Sequence, residues 1–207
     1  IDRRGLQIAV HSIGDGAVRA VLDGYEAAAR ANGRRDSRHR IEHIELTTQA
    51  DIKRFAPLGV IASMQPTHPP GAAGFPLEPT VSRIGRSRWA DAYPVKTLLD
   101  AGARVVFASD WPVAPIDPLL GMRSAMEREP WAEGLPPQAL SLDEALAAYT
   151  TGGAFAEFAE DRKGCIRPGY LADVVVLSGD VDAVPHERLT SLSPRYTICG
   201  GKITFAG

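Results

Sequence analysis

The stretch Arg104-Val105-Val106-Phe107-Ala108-Ser109-Asp110-Trp111-Pro112-Val113 decides the reading of this chain. Its β-branched and aromatic run reads as a buried strand. Trp111 and Pro112 then turn the chain away. One carboxylate, Asp110, stands at the C-terminal tip, where an acid is costly unless it is paired or bound to a cation. Two earlier apolar runs end in histidine, Leu6-Gln-Ile-Ala-Val-His11 and Arg40-Ile-Glu-His43. In a parallel α/β array the C-terminal ends of all strands share one face. His11, His43 and Asp110 are therefore expected to converge.

Strand and helix alternate outward from that stretch. Strands are predicted over 6–11, 39–43, 60–65 and 104–109. Helices are predicted over 16–32, from Thr47-Thr48-Gln49-Ala50-Asp51 to Pro57 and Gly59, and from Tyr93 to Ala101. The Pro/Gly-rich segment 66–88 reads as a long loop, which in a compact domain usually serves function. Residues 111–140 read as loop with one helical turn near 119–128. Ser141-Leu-Asp-Glu144 is a capping box opening a helix over 142–159. Four successive βα units imply a parallel sheet with right-handed crossovers, an α/β fold. After residue 163 the style changes to Asp173-Val-Val-Val-Leu177 and Tyr196–Phe205. The latter is a hairpin around Gly200-Gly201. The expected division is a barrel-like 1–162 and a small β-element, 163–207.

The chain has 207 residues, 44% apolar and 23% charged, with a net charge of -2. That is a globular composition. It gives no argument for nucleic acid or a membrane surface as partner, and no apolar run is long enough for a membrane helix. Two cysteines, Cys165 and Cys199, make no disulfide framework and fit a reducing, cytoplasmic compartment. The start at Ile1-Asp2-Arg3, almost directly into a strand, suggests part of something longer.

Taken singly, His11 reads equally well as a rim histidine bonded to a carbonyl, His43 as part of a solvated charged cluster, and Asp110 as an N-cap. Together they are the ligand types that zinc and similar divalent ions accept. Such an ion lowers the pKa of water towards ~7. A neighbouring carboxylate can then move the proton to the leaving group, and Asp110 could do so while contacting the metal.

The motifs Val10-His11-Ser12-Ile13-Gly14-Asp15-Gly16-Ala17, Arg40-Ile41-Glu42-His43, Met64-Gln65-Pro66-Thr67-His68, Ala108–Val113 and Gly164–Leu177 run in one order over essentially the whole chain. On them the chain resembles the C-terminal half of an amidohydrolase-superfamily enzyme, within the amidohydrolase-3 family that includes N-substituted formamide deformylase-like proteins. The resemblance implies strands five to eight of a TIM-like barrel, about four βα units. The small C-terminal β-element would contribute to a composite sandwich. It implies His11 and His43 as metal ligands on strands five and six. Asp110 would be ligand and general base on strand eight, with one or two divalent ions, zinc foremost. His68 looks like a substrate contact or else a loop histidine without a role. Asp15 orients His11, shapes the turn or caps the helix. Arg83, Arg88, Trp89 and Tyr93 resemble a segment at the mouth of the site, with no role assigned.

The strand-one His-x-His pair and the metal-bridging residue of strand four have no counterpart here. The expected parent is a metal-dependent hydrolase of an amide- or formamide-like, non-peptide C–N bond in a small-molecule substrate. The alternative is an inactive fragment or interaction module. Half a barrel has two sheet edges, and its inner face, assigned by alternation to Ile8, Val10, Ile41, Ile61, Met64, Val106 and Ala108, would lack a wall. Homo-oligomerisation, or pairing with a missing N-terminal half, is therefore expected, with weak metal affinity for the isolated chain. A nucleotide-binding reading finds no glycine-rich phosphate loop.

Overall fold

The computed structural model describes all residues from Ile1 to Gly207. Four strands, β1 (Ala9–Ser12), β2 (Arg40–His43), β3 (Ile61–Met64) and β4 (Arg104–Phe107), form a parallel sheet in sequence order. Helix α1 (Asp15–Asn32) places Val18, Leu22 and Tyr25 on its buried face, at helical spacing. Gly14, in extended conformation, precedes it, so Asp15 is its first residue and not its cap. Helix α2 (Gln49–Leu58) starts where the Thr48 side chain accepts the Asp51 amide and stops at Gly59, whose φ of 65° is left-handed. Segment 66–88 is not wholly irregular: α3 (Thr80–Ile84) and a 3-10 turn at Arg86–Asp91 lie in or border it. Helix α4 (Val95–Asp100) follows. The single turn expected near 119–128 is a full helix, α5 (Pro118–Met126), capped by Asp117.

The capping box at Ser141 and Glu144 is present. The helix it opens divides into α6 (Leu142–Tyr149) and α7 (Thr151–Ala156) around Thr150. The Thr150 and Thr151 hydroxyls donate to the carbonyls of Leu146 and Ala147, a bond that favours bending. Gly152 then comes so close to the Val105 carbonyl and Val106 that a Cβ there would sit 3.1 and 3.2 Å from them. The break thus lets α7 lie against β4.

The main core lies between the sheet and its helices. Val10, Ile41, Ala62, Met64, Val105 and Phe107 meet Val18, Leu22, Phe55 and Leu98 there. This corrects the inner-face assignment for Ile8, Val10, Ile41 and Met64, which pack on the helical side. Side chains alternate along a strand, and the register aligns His11, Glu42, Ser63 and Val106 in one row on the opposite face. Ile61 and Val106 do face inward, and Ala156 and Phe155 of α7 cover them. The inner face is therefore polar at the tips and apolar only where α7 plugs it.

Beyond residue 163, β5 (Val174–Leu177), β6 (Pro194–Cys199) and β7 (Lys202–Ala206) form an antiparallel sheet. Leu189 and Leu192 from its long connection, with Leu177, pack against Leu119, Met122 and Ala145 of α5 and α6. No helix is long and apolar enough to cross a membrane.

Candidate metal and active site

The C-terminal ends of β1 to β4 gather the sequence-predicted residues. His11 is the third residue of β1 and His43 the last of β2. Their rings meet edge to face at 4.4 Å between centroids. His43 and Ile44 have φ of 81° and 54°, so the chain turns sharply off β2 and re-aims the His43 ring. Asp110 follows β4 at φ 57°, a left-handed position that aspartate tolerates better than most residues. Its carbonyl accepts the Val113 amide in a tight turn.

One donor atom from each of His43, His68 and Asp110 lies within 4.8 Å of the others. Both histidines are buried. His68 reaches this position because the chain after β3 turns at Gln65, whose carbonyl accepts the His68 amide. Its ring stacks on His43 at 5.9 Å and rests on Phe75 at 5.8 Å. The structure thus groups two of the three strand-end residues, His43 and Asp110. It adds His68 as a third donor, while His11, whose ring meets that of His43 edge to face, is not among the grouped donors.

The polar atoms around the cluster are under-satisfied. His43 Nδ1, His68 Nε2, Ser12 Oγ, Thr47 Oγ1, Gln65 Oε1 and Thr67 Oγ1 are buried without a hydrogen-bond partner. Buried polar groups are rarely left so. Two of these atoms belong to the grouped imidazoles of His43 and His68, and Gln65 lines the cavity beside them; Glu127 Oε1 and Arg128 Nε are unpartnered as well. Imidazole nitrogen and carboxylate oxygen are the donors that suit zinc and related divalent ions, so the residues fit such an ion.

Glu45 was not singled out by the sequence, and Tyr93 was placed at the mouth without a role; both stand at the site. Glu45 has its Oε1 3.5 Å from His68 Nδ1, and its Oε2 accepts from the Tyr93 hydroxyl at 3.0 Å. Burial pushes the Glu45 carboxyl up, but bonds from His68 and Tyr93 and the charges of His68 and His43 outweigh it. The group is held below its ordinary value. Burial pushes the Tyr93 phenol far above its usual range, so it stays a donor. The signal for Glu45 was its place two residues past His43, but a charged run at a strand end does not declare which carboxylate turns inward.

A cavity beside the cluster is lined by His43, Glu45, Gln65, His68, Tyr93 and Arg128. A groove of about 800 Å³ adjoins it and shares Ser124 and Arg128 as lining residues. Of the other mouth residues, Arg88 lies 3.7 Å from Asp15 and Trp89 packs on Trp131. Arg83, His39 and His186 are not among the residues at the cluster. Asp15 Oδ1 accepts the Gly16 amide and makes no bond to His11.

The sequence profile of the amidohydrolase family matches residues 1–205. Protein LONG AFTER FAR-RED 3 of Arabidopsis thaliana is 40% identical over 181 residues, covering 86% of this chain and 30% of that protein. The N-substituted formamide deformylase of Arthrobacter pascens is 33% identical over 178 residues, 85% of this chain and 32% of that protein. An uncharacterized metal-dependent hydrolase from Pyrococcus horikoshii superposes with a TM-score of 0.72 at 30% identity, over 88% of this chain and 36% of that one. The chain thus spans about a third of the length of the relatives it matches.

Proposed function

Because the chain belongs to the amidohydrolase family, we propose that it carries the strand-five-to-eight side of a hydrolytic centre acting on a non-peptide C–N bond, amide- or formamide-like, in a small molecule. The observation that carries this reading is the convergence of His43, His68 and Asp110 donor atoms within 4.8 Å, beside the His11 ring. His11, His43 and Asp110 would hold a divalent ion, zinc by donor type, with one or two ions in the whole protein. When bound, the ion supplies Lewis acidity that makes water a competent nucleophile near neutral pH.

The chain's own residues do the rest. Asp110 accepts the proton of the attacking water at a carboxylate oxygen and returns it to the departing nitrogen. His68 borders the cavity where a substrate carbonyl would lie, and the adjoining groove gives room for the substituent on nitrogen. The bond class draws support from the relative named as a formamide deformylase. Residues 1–162 serve as the partial barrel and 163–207 as a contribution to a second β-domain. Cys165 and Cys199 are both exposed and free, which fits a reducing cytoplasm.

The test is Asp110→Asn in the full-length, metal-loaded protein with an N-substituted formamide as substrate. Asparagine also tolerates the left-handed backbone at this position, so the fold should persist. Loss of general base catalysis should cost on the order of 10²–10⁴ in kcat. Full activity in this variant would sink the mechanism.

A further inference from the structure

We infer that Glu45 is a positioning residue of the centre: with Tyr93 it fixes the His68 ring so that His68 Nε2 joins His43 and Asp110 as a donor to the divalent ion. This rests on the metal-centre reading above and goes beyond it. The resemblance gave His68 only a substrate contact and Glu45 no role.

Glu45 is held from several sides. The positive φ at His43 and Ile44 turns the chain off β2. The segment that follows is then pinned to residues 91–93. The Tyr93 amide donates to the Glu45 carbonyl at 2.7 Å, the Thr47 amide to Asp91 at 3.2 Å, and Leu46 bridges to Ala92. The side chain is fixed as well, since the Tyr93 hydroxyl occupies one carboxylate oxygen. The other oxygen faces His68 Nδ1 at 3.5 Å.

Of the two ring nitrogens, Nδ1 approaches the Glu45 carboxylate, and a proton on Nδ1 leaves a lone pair at Nε2. In His68 that Nε2 is the buried atom without a partner. The ring lies stacked on His43 and tilted against Phe75, which limits its movement. A carboxylate behind a histidine, facing a cluster of donors, is the arrangement that orients metal-ligating imidazoles and raises their basicity. A histidine that only touched substrate would not need a ring nitrogen grouped with donor atoms of His43 and Asp110.

Cobalt(II) titration of the metal-free, full-length protein, followed by visible absorption, tests this directly. Glu45→Ala should weaken cobalt binding by about 10–100-fold and reduce the ligand-field bands. His68→Asn should weaken it at least as much. Combining the two should be no worse than His68→Asn alone, because Glu45 acts through His68. Glu45→Gln keeps an acceptor for Nδ1–H and should restore most of the affinity. If Glu45→Ala fails to fold, Tyr93→Phe and His68→Asn decide, and both must weaken binding. Wild-type cobalt affinity in Glu45→Ala or His68→Asn, or fully additive losses in the double variant, would overturn the inference. His43→Ala and Asp110→Asn keep the two readings apart. If they lose cobalt while Glu45→Ala and His68→Asn do not, only this inference fails. If they too bind cobalt normally, the metal-centre reading fails.

Discussion

Gly152 and Gly153 are adjacent in sequence and opposite in constraint. A Cβ on Gly152 would lie 3.0 Å from the Ala147 carbonyl and 3.1 Å from that of Val105, both backbone atoms that cannot rotate away. A Cβ on Gly153 would meet nothing within 4 Å. Gly152→Ala should therefore destabilise by about 1–3 kcal/mol through overpacking against β4. Gly153→Ala should stabilise by roughly 0.5–1 kcal/mol, since alanine restricts the unfolded chain and favours helix. Urea denaturation of the two variants checks the sign of each. Equal effects would mean that α7 does not press on the sheet at Gly152. The contrast also shows how far local reading reaches, because nothing in the Gly-Gly pair itself says which member faces the sheet.

At the scale of elements, one arginine ties the entry of β2 to the end of α7. The Arg38 guanidinium donates to both carboxylate oxygens of Glu160, at 2.6 and 2.8 Å, and to the Phe155 carbonyl at 2.6 Å. It also lies over the Phe155 ring. The bonds from Arg38 are the main reason that the Glu160 carboxyl is lowered from 4.5 to about 2. A carboxyl depressed in the folded state adds stability above its unfolded value and loses it as pH falls through the folded one. The window is therefore from about 4.5 down to about 2. Arg38→Gln should cost stability above that window, and the gap to wild type should narrow as the pH drops through it. Denaturant midpoints measured across the window check this, and a gap independent of pH would refute it. Glu160 is partly exposed, so the effect should also shrink with salt.

For the whole molecule, the sheet order leaves β1 and β4 each paired on one side only. Ile13 at the β1 end and Trp111, Val113 and Ile116 past β4 are exposed, Trp111 by 66% and Ile116 by 71%. In the antiparallel sheet Val175, Tyr196, Ile203 and Phe205 are exposed as well. Open strand edges beside apolar side chains favour association. The 207-residue chain on its own is expected to self-associate, or to pair with the remainder of a barrel when that is supplied. Multi-angle light scattering is the measurement, and a monodisperse monomer over a wide concentration range would contradict the expectation.

The order of the strands, the parallel sheet and the placing of His11, His43 and Asp110 at or just after strand ends were legible in the sequence. Each depends on a local period: apolar runs of strand length, helical spacing between them, and a polar residue at the strand tip. Local signals also marked the capping box at Ser141 and the hairpin at Gly200-Gly201. Alternation alone did not say which face of each strand meets the helices. That depends on where the larger dry core forms, and it put Val10, Ile41 and Met64 against α1, α2 and α4. The same holds for the site. His68 joins His43 and Asp110 only because the chain after β3 folds back on itself, and Glu45 turns inward only because residues 91–93 pin it there. Those contacts join segments distant in sequence, so no local pattern encodes them. Tertiary structure alone decided that the loops carrying Glu45 and His68 would close on His43 and Asp110.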